Sequence, residues 1–128
     1  MISSSFCQLI LAIKLCGVAS YRHLHNVKRI RKYLSRESTE MLVHAFITSR
    51  VDNCNSLLYG LPNYQLKKLQ RVLNASARLV CNAPRFCHIS PLLRGLHWLL
   101  VKARIEFKIL LIMSKQFTAL LLNICAIY

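Results

Sequence analysis

Asn63-Tyr64-Gln65-Leu66-Lys67-Lys68-Leu69-Gln70-Arg71-Val72-Leu73-Asn74-Ala75-Ser76-Ala77-Arg78-Leu79-Val80-Cys81 decides the fold. Leu66, Leu69, Leu73, Ala77 and Val80 recur at three- and four-residue steps, the spacing that gathers side chains onto one face of an α-helix. Lys67, Arg71, Asn74 and Arg78 follow a second run of four, three and four residues, which predicts a separate solvent-facing stripe. Pro62 and Pro84 bracket the segment. A helix of this length needs cover along its apolar seam, so the rest of the chain is read for helices that supply it.

Upstream, Tyr21 to Leu34 is basic and amphipathic, with Leu24, Val27, Ile30 and Leu34 on one side and Arg22, His25, Lys28, Arg29 and Lys32 over much of the remainder. Ser35 is the expected N-cap of the next helix, with Glu37 and Glu40 placing negative charge near its positive end. That helix is expected to bury Leu42, Ala45, Phe46, Ser49, Asn53 and Leu57 and to stop near Gly60 and Pro62. Downstream, Ser90-Pro91 predicts an N-cap followed by proline at the first helical position. A short helix from Pro91 to Leu96 should lead into a longer one from Val101. There Val101, Ile105, Ile109 and Ile112 lie opposite Phe107, Leu110 and Leu111, which calls for cover on both sides. The expected fold class is therefore all-α: about five helices in an irregular bundle, with no repeat and no low-complexity linker.

The totals agree. A chain of 128 residues is at most one domain, long enough to bury about 65–70% of its unfolded surface. It is 55% hydrophobic with only three Gly and three Pro, which argues against disorder and against a turn-rich β architecture. Eighteen Lys and Arg face four acids, Glu37, Glu40, Asp52 and Glu106, for a net charge of +14. So basic a chain repels itself and gains from a polyanionic partner, nucleic acid first and an anionic membrane second. Cys7, Cys16, Cys54, Cys81, Cys87 and Cys125 could form three bridges in a secreted protein. Several fall inside apolar helical patterns, where cysteine acts as a small hydrophobe. The apolar start, Met1 to Ile13, lacks a basic leader and is interrupted by Lys14, so free thiols in a reducing, intracellular compartment are expected.

The ordered strings are more specific. They run Leu34-Ser35-Arg36-Glu37-Ser38, Leu42-Val43-His44-Ala45-Phe46-Ile47 and Asp52-Asn53-Cys54-Asn55-Ser56-Leu57-Leu58-Tyr59-Gly60-Leu61-Pro62. After these come Leu69-Gln70-Arg71-Val72, Asn74-Ala75-Ser76-Ala77-Arg78, His88-Ile89-Ser90-Pro91, Leu96-His97-Trp98-Leu99 and Arg104-Ile105-Glu106-Phe107-Lys108. In order and spacing, over roughly three quarters of the chain, this series resembles the segment that follows the catalytic palm in reverse transcriptases of jockey-type non-LTR retrotransposons. The resemblance implies a thumb-like helical region over residues 21–113, whose family role is to grip template and primer. Residues 1–20 then form a divergent N-terminal helix, and 114–128 a hydrophobic tail outside the family pattern.

Three departures bear on that resemblance. The family usually has an aromatic between the Asp and the Cys of the Asp52 string. Asn53 stands there on the apolar stripe, where an unpartnered amide costs about 1–3 kcal/mol. Leu100 replaces an expected proline after Leu96-His97-Trp98-Leu99. The family's closing turn, similar to Tyr-Lys-Ala-Leu-His-Gly-Leu-Ala-Pro, is missing, but a one-base frame shift from Lys115 onward can encode Ala-Ile-His-Gly-Leu-Ala-Pro-Lys-Tyr. A single-base deletion near Lys115 is the expectation, in a truncated reading frame or equally an incorrect gene model, and a transcript in which no frame encodes that string would exclude the deletion.

Candidate chemistry is sparse. Two-metal polymerisation needs clustered carboxylates holding ions about 4 Å apart, and a chain with one aspartate and no adjacent acids does not offer them. No catalytic residue, metal or cofactor is assigned, and the chain is expected not to be an enzyme. Cys81, Cys87, His88 and His97 lack the paired spacing of a structural zinc site. Ser90, His88 and Asp52 lack a nucleophile-elbow context. The residues singled out for RNA or DNA are Lys67, Lys68, Arg71, Asn74 and Arg78, with Arg29 and Lys32 from a second cluster that includes Arg31. An ordinary solvated helix face explains the first set about as well on pattern alone, and the resemblance favours binding. Trp98 reads as a core anchor whose indole N–H wants a partner, and His44 and His97 as packing or hydrogen-bonding residues. The alternative is a basic membrane-associated protein using the apolar stretch Ile109 to Tyr128. Lys115 opposes a span at about 2.5–3.5 kcal/mol. A calmodulin-type target helix at Tyr21 to Leu34 is a third reading.

Overall fold

The computed structural model describes the backbone of residues 2–52 and 58–125, and side chains at 11, 14, 15, 17–52 and 58–122. The fold is all-α, with no strand among the described residues. Its order is α1 (Ile2–Ile30), a 3₁₀ turn (Arg31–Tyr33), α2 (Arg36–Val43) running through a π turn (His44–Thr48) into α3 (Ser49–Asp52), α4 (Asn63–Val80), α5 (Ile89–Gly95) and α6 (Val101–Cys125). With α2, the π turn and α3 counted as one rod, there are five helices among the described residues.

The helix anticipated from Asn63 to Cys81 is α4, with Cys81 as its C-cap. It is the hub of the bundle, touching α1, α2, the π turn, α5 and α6. Leu69, Leu73, Ala77 and Val80 are buried as expected and Leu66 is half-buried; Gln65, Val72 and Ser76 widen the seam. Leu73, Ala77 and Val80 are fully enclosed. They pack with Leu24 of α1, Val43, Ile47 and Val51 of the α2–α3 rod, Leu93 of α5, and Val101 and Ile105 of α6. Trp98 lies in the same cluster, 7% exposed, with the His44 ring tilted against it at 5.2 Å. The indole Nε1–H that was expected to need a partner has none among the described residues.

The turn before α4 follows its sequence signals. Gly60 takes φ of +81°, where a side chain would be strained, and Pro62 is the N-cap of α4. Ser35 caps α2 as expected, its Oγ accepting the Ser38 N–H at 3.1 Å.

Several expectations need correction. The rod buries Thr39, Val43, Ile47, Thr48 and Val51, whereas Ala45, Phe46 and Ser49 are exposed and Leu42 is half-buried. The reason is the π turn, in which Ser49 N–H bonds the His44 carbonyl five residues back. Its wider turn keeps Val43, Ile47 and Val51, spaced by strict fours, against the core, while the predicted stripe assumed an unbroken 3.6-residue period. Asn53 and Leu57, the remainder of that stripe, lie outside the described residues. So do the side chains of Cys7, Cys16, Cys54 and Cys125; Cys81 and Cys87 are free thiols.

The helix expected to begin at Tyr21 is instead the second half of α1, which passes 20/21 without a break and gives way at Arg31 to the 3₁₀ turn. Leu24 and Val27 are buried, Leu34 is half-buried and Ile30 is exposed. Ser90-Pro91 is not the start of α5, because His88 is the N-cap and Pro91 falls at the third helical position. That is still inside the first turn, where a missing N–H costs nothing. In α6, Val101 and Ile105 are buried and Ile109 is partly so, but Ile112, Phe107, Leu110 and Leu111 are exposed. Cover on both sides is therefore absent among the described residues. The helix also runs on past Met113 into the tail.

Candidate nucleic-acid interface

The C-terminal end of α4 is closed by hydrogen bonds that help to position its basic face. At its C-terminus the N–H of Asn82 bonds the Leu79 carbonyl at 3.3 Å and that of Ala83 bonds the Arg78 carbonyl at 2.9 Å. Asn82 adopts a left-handed φ of 50°, completing a Schellman motif. Arg31 supplies what remains. Its Nε donates to the Leu79 carbonyl and its Nη2 to the Val80 carbonyl, each at 3.1 Å, while Nη1 donates to Leu34 at 2.9 Å. Arg31, read with Arg29 and Lys32 as one basic cluster, is thus a helix cap that ties α1 to α4. Arg29 and Lys32 are exposed beside it, with the Lys32 ammonium 4.8 Å above the Tyr33 ring.

A second Schellman motif ends α5. His97 N–H bonds the Arg94 carbonyl at 3.0 Å and Trp98 N–H bonds the Leu93 carbonyl at 2.9 Å. His97, at φ of 55°, holds the left-handed position that glycine usually takes. Its function is in the backbone, and its side chain is exposed.

The outer face of α4 divides into two halves. Towards its N-terminus Tyr64, Lys67, Lys68 and Arg71 are all exposed, and the Lys68 ammonium lies 5.9 Å from the Tyr64 ring centroid. No hydrogen bond or ion pair engages Lys67 or Arg71 among the described residues. Further along, the expected solvent-facing stripe is covered. Asn74 is half-buried and its Oδ1 accepts from Gln70 Nε2 at 2.8 Å. Gln70 Oε1 in turn accepts the Val101 N–H at 2.9 Å, so a side chain from α4 caps the first turn of α6. This bond takes the place of the helix-start signal that Leu100 lacks. Arg78, also half-buried, donates from Nη2 to the Cys87 carbonyl at 3.4 Å. Gln70, Asn74 and Arg78 therefore carry structural bonds, and Lys67, Lys68 and Arg71 are the cations left pointing to solvent.

Among the described residues no acid forms an ion pair with this face. Glu37 and Glu40 belong to α2 and Glu106 to α6. Asp52 is bound through its Oδ2 by Arg104 Nη1 at 3.0 Å, and its carbonyl accepts from Lys108 Nζ at 3.2 Å. The pair joins the end of α3 to α6 across 52 residues and commits the Asp52 carboxylate to Arg104 rather than to a triad with Ser90 and His88. A cleft of about 260 Å³ lies here, lined by Asp52, His97, Leu99, Arg104, Phe107, Lys108 and Leu111. Both of its cations turn toward Asp52.

No three His, Cys, Asp or Glu side chains come together as a metal site among the described residues. None of the described helices is long and apolar enough to cross a membrane. No protein-family model matches the chain, and no curated protein or solved structure matches it either.

Proposed function

We propose that this chain is a non-catalytic, nucleic-acid-binding helical region of a reverse transcriptase from a jockey-type non-LTR retrotransposon, gripping RNA or DNA through the outer face of α4. The observation that carries the binding half is the exposed trio Lys67, Lys68 and Arg71 on a rigid helix that has no acid of its own. Phosphate contacts need cations projecting from a fixed register, and a helix capped at its far end by Arg31 and braced against α1, α2, α5 and α6 supplies one. Arg29 at the end of α1 and Lys32 in the 3₁₀ turn that follows, both exposed, add charge to the field. The polymerase lineage rests on the ordered strings quoted above. The lack of clustered carboxylates supports a role in holding substrate rather than in chemistry. The described residues give the membrane reading no support, because none of their helices has the length and apolarity of a span.

Filter binding of the full chain to RNA and DNA oligonucleotides over a range of salt concentrations tests the reading. Affinity should fall with salt at a log–log slope of about −0.7 to −0.9 per phosphate contacted. Absence of binding even at low salt would refute the binding half of the reading.

A further inference from the structure

Phe86 is the most exposed large apolar side chain described, at 94%. It sits at the tip of a four-residue turn closed by the Cys87 N–H on the Pro84 carbonyl at 3.1 Å, with Arg85 beside it. The turn is held at both ends. The Schellman bonds at Asn82 and Ala83 fix its departure from α4, and Arg78 grips the Cys87 carbonyl from the outer face of the same helix. A lone apolar residue on a surface is ordinary, but an aromatic ring presented almost whole on a fixed turn is placed for contact with a partner.

Charge selects the partner. Residues 53–105 carry eight Lys and Arg and no acid at all, so the ring stands in a segment that attracts polyanions. A partner with phosphates and flat apolar faces fits both features. Arg78 anchors the turn seven residues, about 10 Å of helix rise, from Arg71. Seven residues is nearly two full turns, so the two arginines lie close to one line along the helix.

We infer that Phe86 is a stacking platform for an unpaired base of a single strand whose phosphates are held by Arg85 and by Lys67, Lys68 and Arg71. The inference rests on the nucleic-acid reading above and adds to it a preference for single-stranded RNA or DNA. Every base presents a π-face, so stacking of this kind tolerates any sequence, whereas a duplex hides those faces within its own stack.

The test is fluorescence anisotropy of the full chain with a labelled 20-mer oligothymidylate and with a duplex of the same length. Phe86→Ala should weaken single-strand binding roughly 10- to 100-fold, the range for losing one base–aromatic stack. Duplex binding should change less than about twofold, and the salt slope should stay the same because no charge is removed. Phe86→Trp should bind the single strand as well as the parent. Circular dichroism of the alanine variant should match the parent, since a side chain this exposed contributes little to packing. Wild-type binding left unaltered by Phe86→Ala overturns the inference, as does an equal loss on both oligonucleotides. Loss of binding to phosphatidylserine vesicles alone, with oligonucleotide binding intact, also overturns it in favour of a membrane contact. Failure of the parent chain to bind either oligonucleotide at low salt overturns the nucleic-acid reading and the inference with it.

Discussion

Arg31→Ala is expected to destabilise the fold by about 2–3 kcal/mol. Three donors of this half-buried guanidinium reach backbone carbonyls: Leu34 nearby, and Leu79 and Val80 at the end of α4. The Leu79 carbonyl keeps a second partner in the Asn82 N–H, whereas Arg31 is the partner that satisfies Val80. Hydrogen bonds from a charged donor contribute about 1.5–3 kcal/mol, and a cation at a helix C-terminus adds a fraction more against the macrodipole. For a chain of this size the loss should lower the melting temperature by roughly 6–12 °C. Arg31→Lys keeps the charge but not the planar fork that reaches two carbonyls at once, so it should recover less than half of the loss. Because the acceptors are neutral carbonyls, the deficit should persist in 1 M salt, where exposed ion pairs are screened. Urea unfolding of the three proteins at low and high salt measures this. A deficit for Arg31→Ala that vanishes in high salt would mean that Arg31 acts only through the general charge balance.

This bond also marks where the sequence stopped being readable. Local signals were legible: the period of α4, Ser35 as a cap, Gly60 and Pro62 as a stop, and Trp98 in the core each depend on residues within about a turn of themselves. The partners of Arg31 lie 48 and 49 residues away, that of Gln70 lies 31 away, and that of Asp52 lies 52 away. Nothing local distinguishes an arginine that caps a distant helix from one that faces water, so the sequence pattern alone groups Arg31 with Arg29 and Lys32. The helical spacing places Arg78 on the solvent stripe for the same reason. The buried face of α3 departs from an unbroken helical period because one π turn changes that period midway, and no residue in His44–Thr48 announces it. His97 was opaque in another way. The left-handed position belongs to a histidine, while the nearby Gly95 is an ordinary helical residue. Of the candidate residues, Lys67, Lys68, Arg71, Arg29 and Lys32 stay exposed, as their sequence pattern suggests, whereas Asn74 and Arg78 are half-buried and hydrogen-bonded.

Those three cations are where the largest functional effect should appear. Replacing Lys67, Lys68 and Arg71 together with glutamine removes the free charge of α4 without touching its seam, so stability should change by no more than about 0.5 kcal/mol at each position. If each contacts one phosphate, affinity at about 0.1 M salt should drop roughly 100-fold or more. The direct measurement is the salt dependence of oligonucleotide binding by the triple variant beside that of the parent. The parent's log–log slope should be steeper by about 2 to 2.7 units, three contacts' worth of released counterions. Equal slopes for the two proteins would contradict the account, because α4 would then contribute nothing to holding the strand.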